Sequence, residues 1–363
     1  MAPSRSERSS QLAGPLAGSG KSRVCLAPFK RSPHGRQLES RRVPMNTPLH
    51  PPRVDVDASS GWRRADPPRR PVLFINPNSG GGKAARAGLA KRARKRGIEA
   101  VVLAEDEDLV SAAREAAAGG ADALGMAGGD GSLAAVAATA AAYELPFVCV
   151  PAGTRNHFAL DLGMDRHDLI GALDAFTDGV ERRIDLAEVN GRAFVNNVSL
   201  GIYGDAVRRS AYRDAKVRTV LETAGEVMAQ GAVLPALHLI DDLGREHHHL
   251  AIVLVSNNPY ALDYPLARGT RPALDTGHLG ILLLDVPGEG HRSLGRTWTT
   301  PRLEMTAAEA VHAGVDGEAM DISSPLRFVV RPRALRVLIS SRHPGMSPSA
   351  RRPPPVRPRG DAS

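Results

Sequence analysis

Hydrophobic and polar positions follow two regimes along this chain. Up to about residue 180, short and wholly apolar runs alternate with longer stretches of helical spacing. Residues 72–75, closed off by Pro71 and by Asn76-Pro77, have the form of a strand buried on both faces. A helix is expected from about Lys83 and a strand over 98–104. "DEDLVSAAREAAAGG" follows as a helix stopped by Gly119-Gly120, and "ADALGMAG" as another strand. "SLAAVAATAAAYE", "LPFVCVPAG" and "HDLIGALDAFTDG" then give helix, strand and helix. Strand and helix alternating at this spacing predict a parallel sheet with helices on both faces.

From 181 the rhythm changes to short strands and turns. "ERRIDLAEVNGRAFVNNVSLG" (181–201) reads as two strands turning at Asn190-Gly191. "PALHLIDDLGREHHHLAIVLVSN" (235–257) reads as a second hairpin turning near 242–244, and short strands continue to 341. Between the hairpins, 205–229 has helical spacing and carries Arg208, Arg209, Arg213, Lys216 and Arg218. The fold class is therefore α/β, an N-terminal parallel-sheet domain followed by an antiparallel β-sandwich. The expected divisions are a disordered basic tail over 1–68, the α/β domain over 69–180, the β-sandwich over 181–341 and a second disordered basic tail over 342–363.

Charge supports that division. The 363 residues carry a net charge of +8, but residues 1–70 hold a net +9 and 342–363 a net +4, which leaves 71–341 at −5. A nucleic-acid domain keeps its basic excess on the folded part, so nucleic acid is not the expected partner. Basic ends suit an anionic membrane surface instead. No apolar stretch is long enough to span a bilayer, and no secretory signal is evident. The two cysteines, Cys25 and Cys149, form no metal or disulfide pattern, which fits a reducing, cytoplasmic setting. "GPLAGSGKS" at 14–22 approaches a phosphate-binding loop, but its glycine spacing is wrong and no strand precedes it.

Candidate chemistry lies where strands give way to helices. "GGDGS" (128–132) sets Asp130 among Gly128, Gly129 and Gly131, just before the alanine-rich helix. Glycines there let the backbone approach a ligand, and the helix's free N–H groups suit phosphate. A carboxylate at such a place needs Mg2+ or a hydroxyl between itself and the anion. "NPNSGGGK" after the first strand and "PAGTRN" after the fourth are corners of the same kind at the same sheet edge.

In order and spacing, "NPNSG" (76–80), "GGDGS" (128–132), "PAGTRNHFALDLGM" (151–164) and "VDGE" (315–318) resemble the diacylglycerol kinase catalytic family, which includes bacterial lipid kinases and is related to sphingosine kinases. The resemblance covers roughly 71–341 and implies ATP-dependent phosphorylation of a lipid hydroxyl, diacylglycerol first among acceptors, with Mg2+ as cofactor. It implies nucleotide contacts from Asn76, Pro77, Asn78, Ser79, Gly80, Gly128, Gly129, Asp130, Gly131, Ser132, Thr154 and Asn156. Asp130 would hold Mg2+ through water, and Asp316 and Glu318 would supply the catalytic acids, both facing one way if that segment is extended. Asp275, in "ALDTGHLGI", is a candidate second metal ligand displaced by one position, with Thr276 in the family's place.

His157 and Ala104 also depart from the pattern. An apolar cleft between the two halves is expected for the lipid. The enzyme would work in the cytoplasm, peripherally bound to membrane, and a homodimer is compatible with the sequence. The alternatives are an NAD kinase-like enzyme and a catalytically impaired nucleotide- or lipid-binding module. "HHH" at 247–249 is not expected to gather a metal, because successive strand side chains alternate faces.

Overall fold

The computed structural model describes residues 61–201, 236–248, 250–261, 269–285 and 295–350. The basic helix expected over 205–229 lies outside the described residues, as do Cys25 and the loop-like segment at 14–22.

The chain enters through β1 (Arg63–Arg64) and β2 (Pro71–Ile75), turns through a short 3-10 segment, and continues as α1 (Lys83–Arg86) and α2 (Leu89–Arg94). The single helix expected here is broken at Gly88, whose φ of 59° is left-handed. Next come β3 (Glu99–Val102), α3 (Leu109–Ala118), β4 (Ala123–Gly128), α4 (Asp130–Ala142) and β5 (Pro146–Pro151). Asp108 caps α3 by accepting from the amides of Val110 and Ser111, at 3.0 and 3.3 Å. α4 has buried residues nearly all round, from Leu133 to Ala141, because it is packed by β4, β5, β7, β17 and α3. Its alanines allow that close approach, whereas an amphipathic helix would need a wet face.

α5 (His157–Asp161) and a 3-10 turn over Gly171–Phe176, where a full helix was expected, lead to β6 (Gly179–Val189), β7 (Arg192–Phe194) and β8 (Asn197–Gly201). β6 and β7 form the hairpin turning at Asn190-Gly191, with Val189 opposite Arg192. The remaining elements are β9 (Leu237–Ile240), β10 (Glu246–His247), β11 (Leu250–Asn257), β12 (Leu279–Asp285), β13 (Gly295–Thr300), β14 (Arg302–Ala307), β15 (Val311–Val315), β16 (Glu318–Ile322) and β17 (Leu326–Ser340).

Two sheets result. The first has eleven described strands, with a path β10-β9-β14-β17-β5-β4-β2-β3 and with β6, β7 and β1 branching from β17. Its segment β3-β2-β4-β5 is parallel, as is the β17–β5 pair, where Val337 lies opposite Phe147. β2, β4 and β5 are almost wholly buried, which explains their unbroken apolar runs. The second sheet, β13-β12-β11-β8-β15-β16, is antiparallel throughout. It packs on the antiparallel part of the first around Phe194, Leu200, Val253, Ile281, Val315 and Phe328. The sandwich thus shares one layer with the parallel sheet, through the fifteen-residue β17. All of these elements lie in one compact unit, His50–Ser363.

Order extends past both expected limits. Trp62 is buried and its Nε1 donates to the carbonyl of Gly345 at 2.7 Å, so residues from each assigned tail clasp one another. His343 and Ser347 are also buried. An indole and an imidazole that fill the interior give these short segments the apolar contact their composition hides.

Candidate active site

Three loops meet at the carboxyl ends of β2, β4 and β5. Gly80 has a φ of 58°, and a Cβ on it would overlap the carbonyl oxygen of Ala152. A Cβ on Gly153 would lie 2.8 Å from the Cα of Gly129 and 3.2 Å from the Gly128 carbonyl. The glycines are thus required by contact between the loops as well as by any ligand. Around Gly129 and Gly81 there is open space.

The loop after β2 is organised by Asn76, whose Oδ1 accepts from the Asn78 amide at 3.0 Å and whose amide donates to Ala127 at 3.0 Å. Pro77 and Ser79 are half-buried and Asn78 is exposed on this corner. Lys83, in α1, crosses to the Gly153 carbonyl at 3.0 Å. It belongs to the quoted "NPNSGGGK", and its charge could have been assigned to phosphate from that motif alone.

In the loop after β5, Thr154 is exposed, whereas Asn156 is only 2% exposed and faces inward. Its Nδ2 donates to the carbonyls of Pro151, Gly153 and Arg166, at 3.0, 3.0 and 3.2 Å. Expected on the nucleotide, Asn156 instead shapes the loop that would touch it, because its donors are spent on three carbonyls. Ser132 lies in the first turn of α4.

Asp130, the first residue of α4, does not cap its own helix. Its carboxylate accepts from the amides of His157 and Phe158 at 3.3 and 3.5 Å, tying α4 to α5. His157 thus meets Asp130 through its main chain. These are long bonds, and no ion-pair partner of Asp130 is present among the described residues, so the carboxylate keeps lone pairs for a hydrated cation.

The acids at 316 and 318 reach the same rim, but by a different geometry from the expected extended segment. Asp316-Gly317 is the two-residue turn between β15 and β16, with Val315 opposite Glu318 and φ values of 49° and 85°. Positive φ at both central residues is the type I′ pattern, for which Asp-Gly is suited. The two side chains therefore diverge. Glu318, half exposed, sits on Gly131, where any Cβ would overlap its carboxylate. Arg192 lies 3.7 Å from it. Asp316 points inward and accepts from the amides of Val195, Asn196 and Asn197, at 2.9, 2.8 and 3.1 Å. Burial pushes its carboxyl up to about 7; the Val195 amide opposes this, and the nearby negative charge of Asp130 adds to it.

Behind Asp316 is a buried polar cluster that no local motif announces. Arg271 is fully buried, donates to Asp161 at 2.6–2.8 Å and to the carbonyls of Val195 and Asn257 at 2.6 Å each. Its Nη2 also reaches Asn196 Oδ1 at 3.0 Å, and its guanidinium faces the Tyr260 ring at 5.8 Å. Burial works against its charge, but Asp161 outweighs that and raises its pKa. Tyr260 accepts from Asn197 at 2.9 Å, so the segment that holds Asp316 is fixed at all three of its residues. Burial keeps the Tyr260 phenol protonated.

Asp275 does not fit a metal. Arg182 Nη2 stands 2.9 Å from its carboxylate, so a guanidinium is present where a cation would be. Its neighbours are held by protein groups too: Thr276 by Asn258 Oδ1, and Gly277 by Asp185 at 2.7 Å. Cys149 is buried in β5 and burial raises its thiol pKa well above the ordinary value, which makes it a packing residue. A cavity of about 310 Å³ is lined by Leu160, Met164, Asp165, His343 and Met346 among others, from the end of α5 and the C-terminal segment.

The diacylglycerol kinase catalytic domain matches residues 70–189 of this chain. A Pseudomonas aeruginosa protein named "Probable lipid kinase YegS-like" is 30% identical over 305 residues, covering 78% of this chain and 97% of that protein. A Bacillus subtilis protein named "Diacylglycerol kinase" is 41% identical over 91 residues, 24% of this chain and 30% of its own length. Among solved structures, a diacylglycerol kinase from Bacillus anthracis superposes with a TM-score of 0.53 at 16% identity, covering 75% of this chain and 97% of that one. At that identity the likeness is one of fold.

Proposed function

This chain belongs to the diacylglycerol kinase catalytic-domain family of lipid kinases, and from that premise we propose that it transfers the γ-phosphoryl group of ATP to a lipid hydroxyl, with diacylglycerol as acceptor. The observation that carries the reading is the apposition of the Asp316–Glu318 hairpin tip to the Asp130–Gly131 start of α4, beside three glycine-bearing loops. The loops at 76–80, 128–132 and 151–154 would cradle the triphosphate through backbone N–H groups, with Lys83 adding positive charge. Asp316 would take the proton of the lipid hydroxyl as the new P–O bond forms and the bond to the leaving ADP breaks. A carboxyl pushed up to about 7 is matched to that task near neutral pH. Mg2+ would supply charge neutralisation at the phosphates, held by Asp130 through water. Glu318 would lie at the phosphate side, over Gly131.

Under this reading the α/β part over 69–180 serves the nucleotide and the part over 181–341 serves the lipid. The basic termini would favour a cytoplasmic enzyme bound at the membrane periphery. No helix among the described residues is long and apolar enough to cross a membrane.

The test is transfer of radiolabel from γ-labelled ATP to diacylglycerol micelles, to a total lipid extract and to NAD, with Asp130→Asn and Asp316→Asn in parallel. Labelled phosphatidic acid that vanishes in both variants supports the proposal. Label on NAD, or lipid phosphorylation undiminished in Asp316→Asn, would overturn it.

A further inference from the structure

Successive histidines at 247–249 cannot share one strand face, because neighbours on a strand face opposite ways. The structure turns His247 and His248 to opposite faces and brings His248 to a partner on the neighbouring strand; His249 lies outside the described residues. β9 and β10 pair antiparallel with Ile240 opposite Glu246 and Leu239 opposite His247. Continuing that register puts His238 across from His248. Glu246 and His248, two residues apart, share the face of His238, and His247 faces the other way.

On the far face His247 makes a direct pair with Asp241, Nε2 to Oδ2, at 2.9 Å. On the near face the spacing is wider. His238 Nε2 and His248 Nε2 stand 3.6 and 3.4 Å from the same Glu246 Oε2. All three atoms lie within 4.8 Å of one another. The two imidazoles stack, with centroids 4.6 Å apart and planes 21° from parallel, and the Nε2 atom of each approaches the same carboxylate oxygen. His238 Nε2 is sealed from solvent and makes no hydrogen bond. An orphaned buried nitrogen is costly unless something binds it.

We propose that His238, Glu246 and His248 form a binding site for a divalent transition metal of the zinc class, joining β9 to β10 and separate from the catalytic centre. Bond lengths of about 2.0–2.2 Å place neighbouring ligand atoms of a tetrahedral zinc site roughly 3.3–3.6 Å apart. The observed 3.4 and 3.6 Å are close to those edges and longer than the 2.9 Å of His247–Asp241, and the 3.4 Å contact is a long hydrogen bond that a metal would replace. Two imidazoles and one carboxylate suit zinc, cobalt, nickel or copper, whereas Mg2+ prefers an all-oxygen octahedron. Water completes the tetrahedron. β10 lies at the end of the strand path, so the metal would clamp the sheet's outermost hairpin, which otherwise has few ladder bonds to hold it.

The full chain, stripped with chelator, is titrated calorimetrically with Zn2+ alone, and with Co2+ while visible absorption is followed. The expected result is a saturable Zn2+ site unaffected by excess Mg2+, and a tetrahedral cobalt spectrum with nitrogen ligation. His238→Ala/His248→Ala should abolish that site and Glu246→Gln should weaken it by at least about tenfold. His312→Ala, a histidine exposed elsewhere and paired with Asp321, should leave it unchanged. Zn2+ should raise the melting temperature of wild type and not of the double variant. These side chains are exposed or half-buried, so the variants are expected to fold, which circular dichroism checks. Absence of Zn2+ binding in wild type, or binding undiminished in the double variant, would overturn the proposal whatever the lipid kinase assay shows.

Discussion

Asp316→Asn followed across pH tests whether burial or hydrogen bonding sets the state of the acid at the hairpin tip. Three backbone amides donate to its carboxylate, which by itself would hold the acid below the ordinary range. Burial and the charge of Asp130 act in the opposite sense, and the balance pushes the group up to about 7. The folded state therefore prefers the protonated form more than the unfolded chain does, whose aspartates titrate near ~3.9. Below that value Asp316 has no electrostatic effect on stability; as pH rises toward 7 the ionised acid increasingly destabilises the fold, and above 7 the cost is constant. Linkage gives roughly 1–2 kcal/mol of destabilisation at pH 5 and about 4 kcal/mol at pH 8, a change of roughly 2–3 kcal/mol across that window. Asparagine has no such ionisation, but its NH2 group would face the Val195 amide, a mismatch of about 1–3 kcal/mol at any pH. Urea unfolding of both proteins from pH 5 to 8 should therefore show the variant gaining on wild type by roughly 2–3 kcal/mol as pH rises. A flat difference, or wild type gaining on the variant with rising pH, would mean that the three amides dominate and that Asp316 is an ordinary pinned carboxylate.

Gly131→Ala would put a methyl group where the Glu318 carboxylate lies, and the half-exposed Glu318 can swing away. Kinase turnover should fall by about 100-fold while the melting temperature stays within a few degrees; unchanged turnover would show that the approach of Glu318 to α4 does not matter. Gly80→Ala meets the Ala152 carbonyl and a left-handed φ of 58°, so it should cost about 1–3 kcal/mol in equilibrium unfolding and weaken ATP binding measured by calorimetry. Arg271→Ala leaves Asp161 buried without its cation and should cost about 3–5 kcal/mol. In a denaturant titration, Asp161→Asn added to Arg271→Ala should recover part of that loss, and no recovery would refute the pairing argument.

What could be read from the sequence was what local chemistry encodes. β2, β4 and β5 were legible because a strand covered on both faces needs an unbroken apolar run, and the corners that follow were legible because only glycine permits their contacts. Gly88 shows the limit: its φ of 59° breaks the helix expected from Lys83, yet an isolated glycine in a helical pattern is compatible with a continuous helix. The pairing of Asp161 with Arg271 joins residues 110 positions apart, and neither has a neighbour that hints at the other. The inward turn of Asn156 was equally hidden, since its donors go to carbonyls, which every residue carries. The clasp of Trp62 on Gly345 has no local signature, because each partner lies in a segment rich in Pro, Arg and Ser.

The shared sheet explains how a two-residue turn far along the chain can serve loops near its start. β17 pairs with β5 at Arg336–Leu338 and with β6 along both sides of a bulge between Arg331 and Leu335. At that bulge the buried Asp185 accepts from the Arg333 amide at 2.8 Å and the Gly277 amide at 2.7 Å, which ties the first sheet to the segment entering β12 of the second. β8 and β15, the strands that carry the Asp316 amide cradle and its turn, are neighbours in that second sheet. Asp130 and Asp316 are therefore connected through hydrogen-bonded strands and one buried carboxylate, without a long loop between them. Positioning at the scale that phosphoryl transfer requires is available from such a frame before any substrate arrives. A hinge between the nucleotide and lipid parts would have to break the β17–β5 ladder, while the β17–β6 ladder holds the lipid side of it together. Hydrogen exchange should accordingly be slow on both arms of β17 outside the bulge, and fast exchange confined to Arg336–Leu338 would show that the frame opens there.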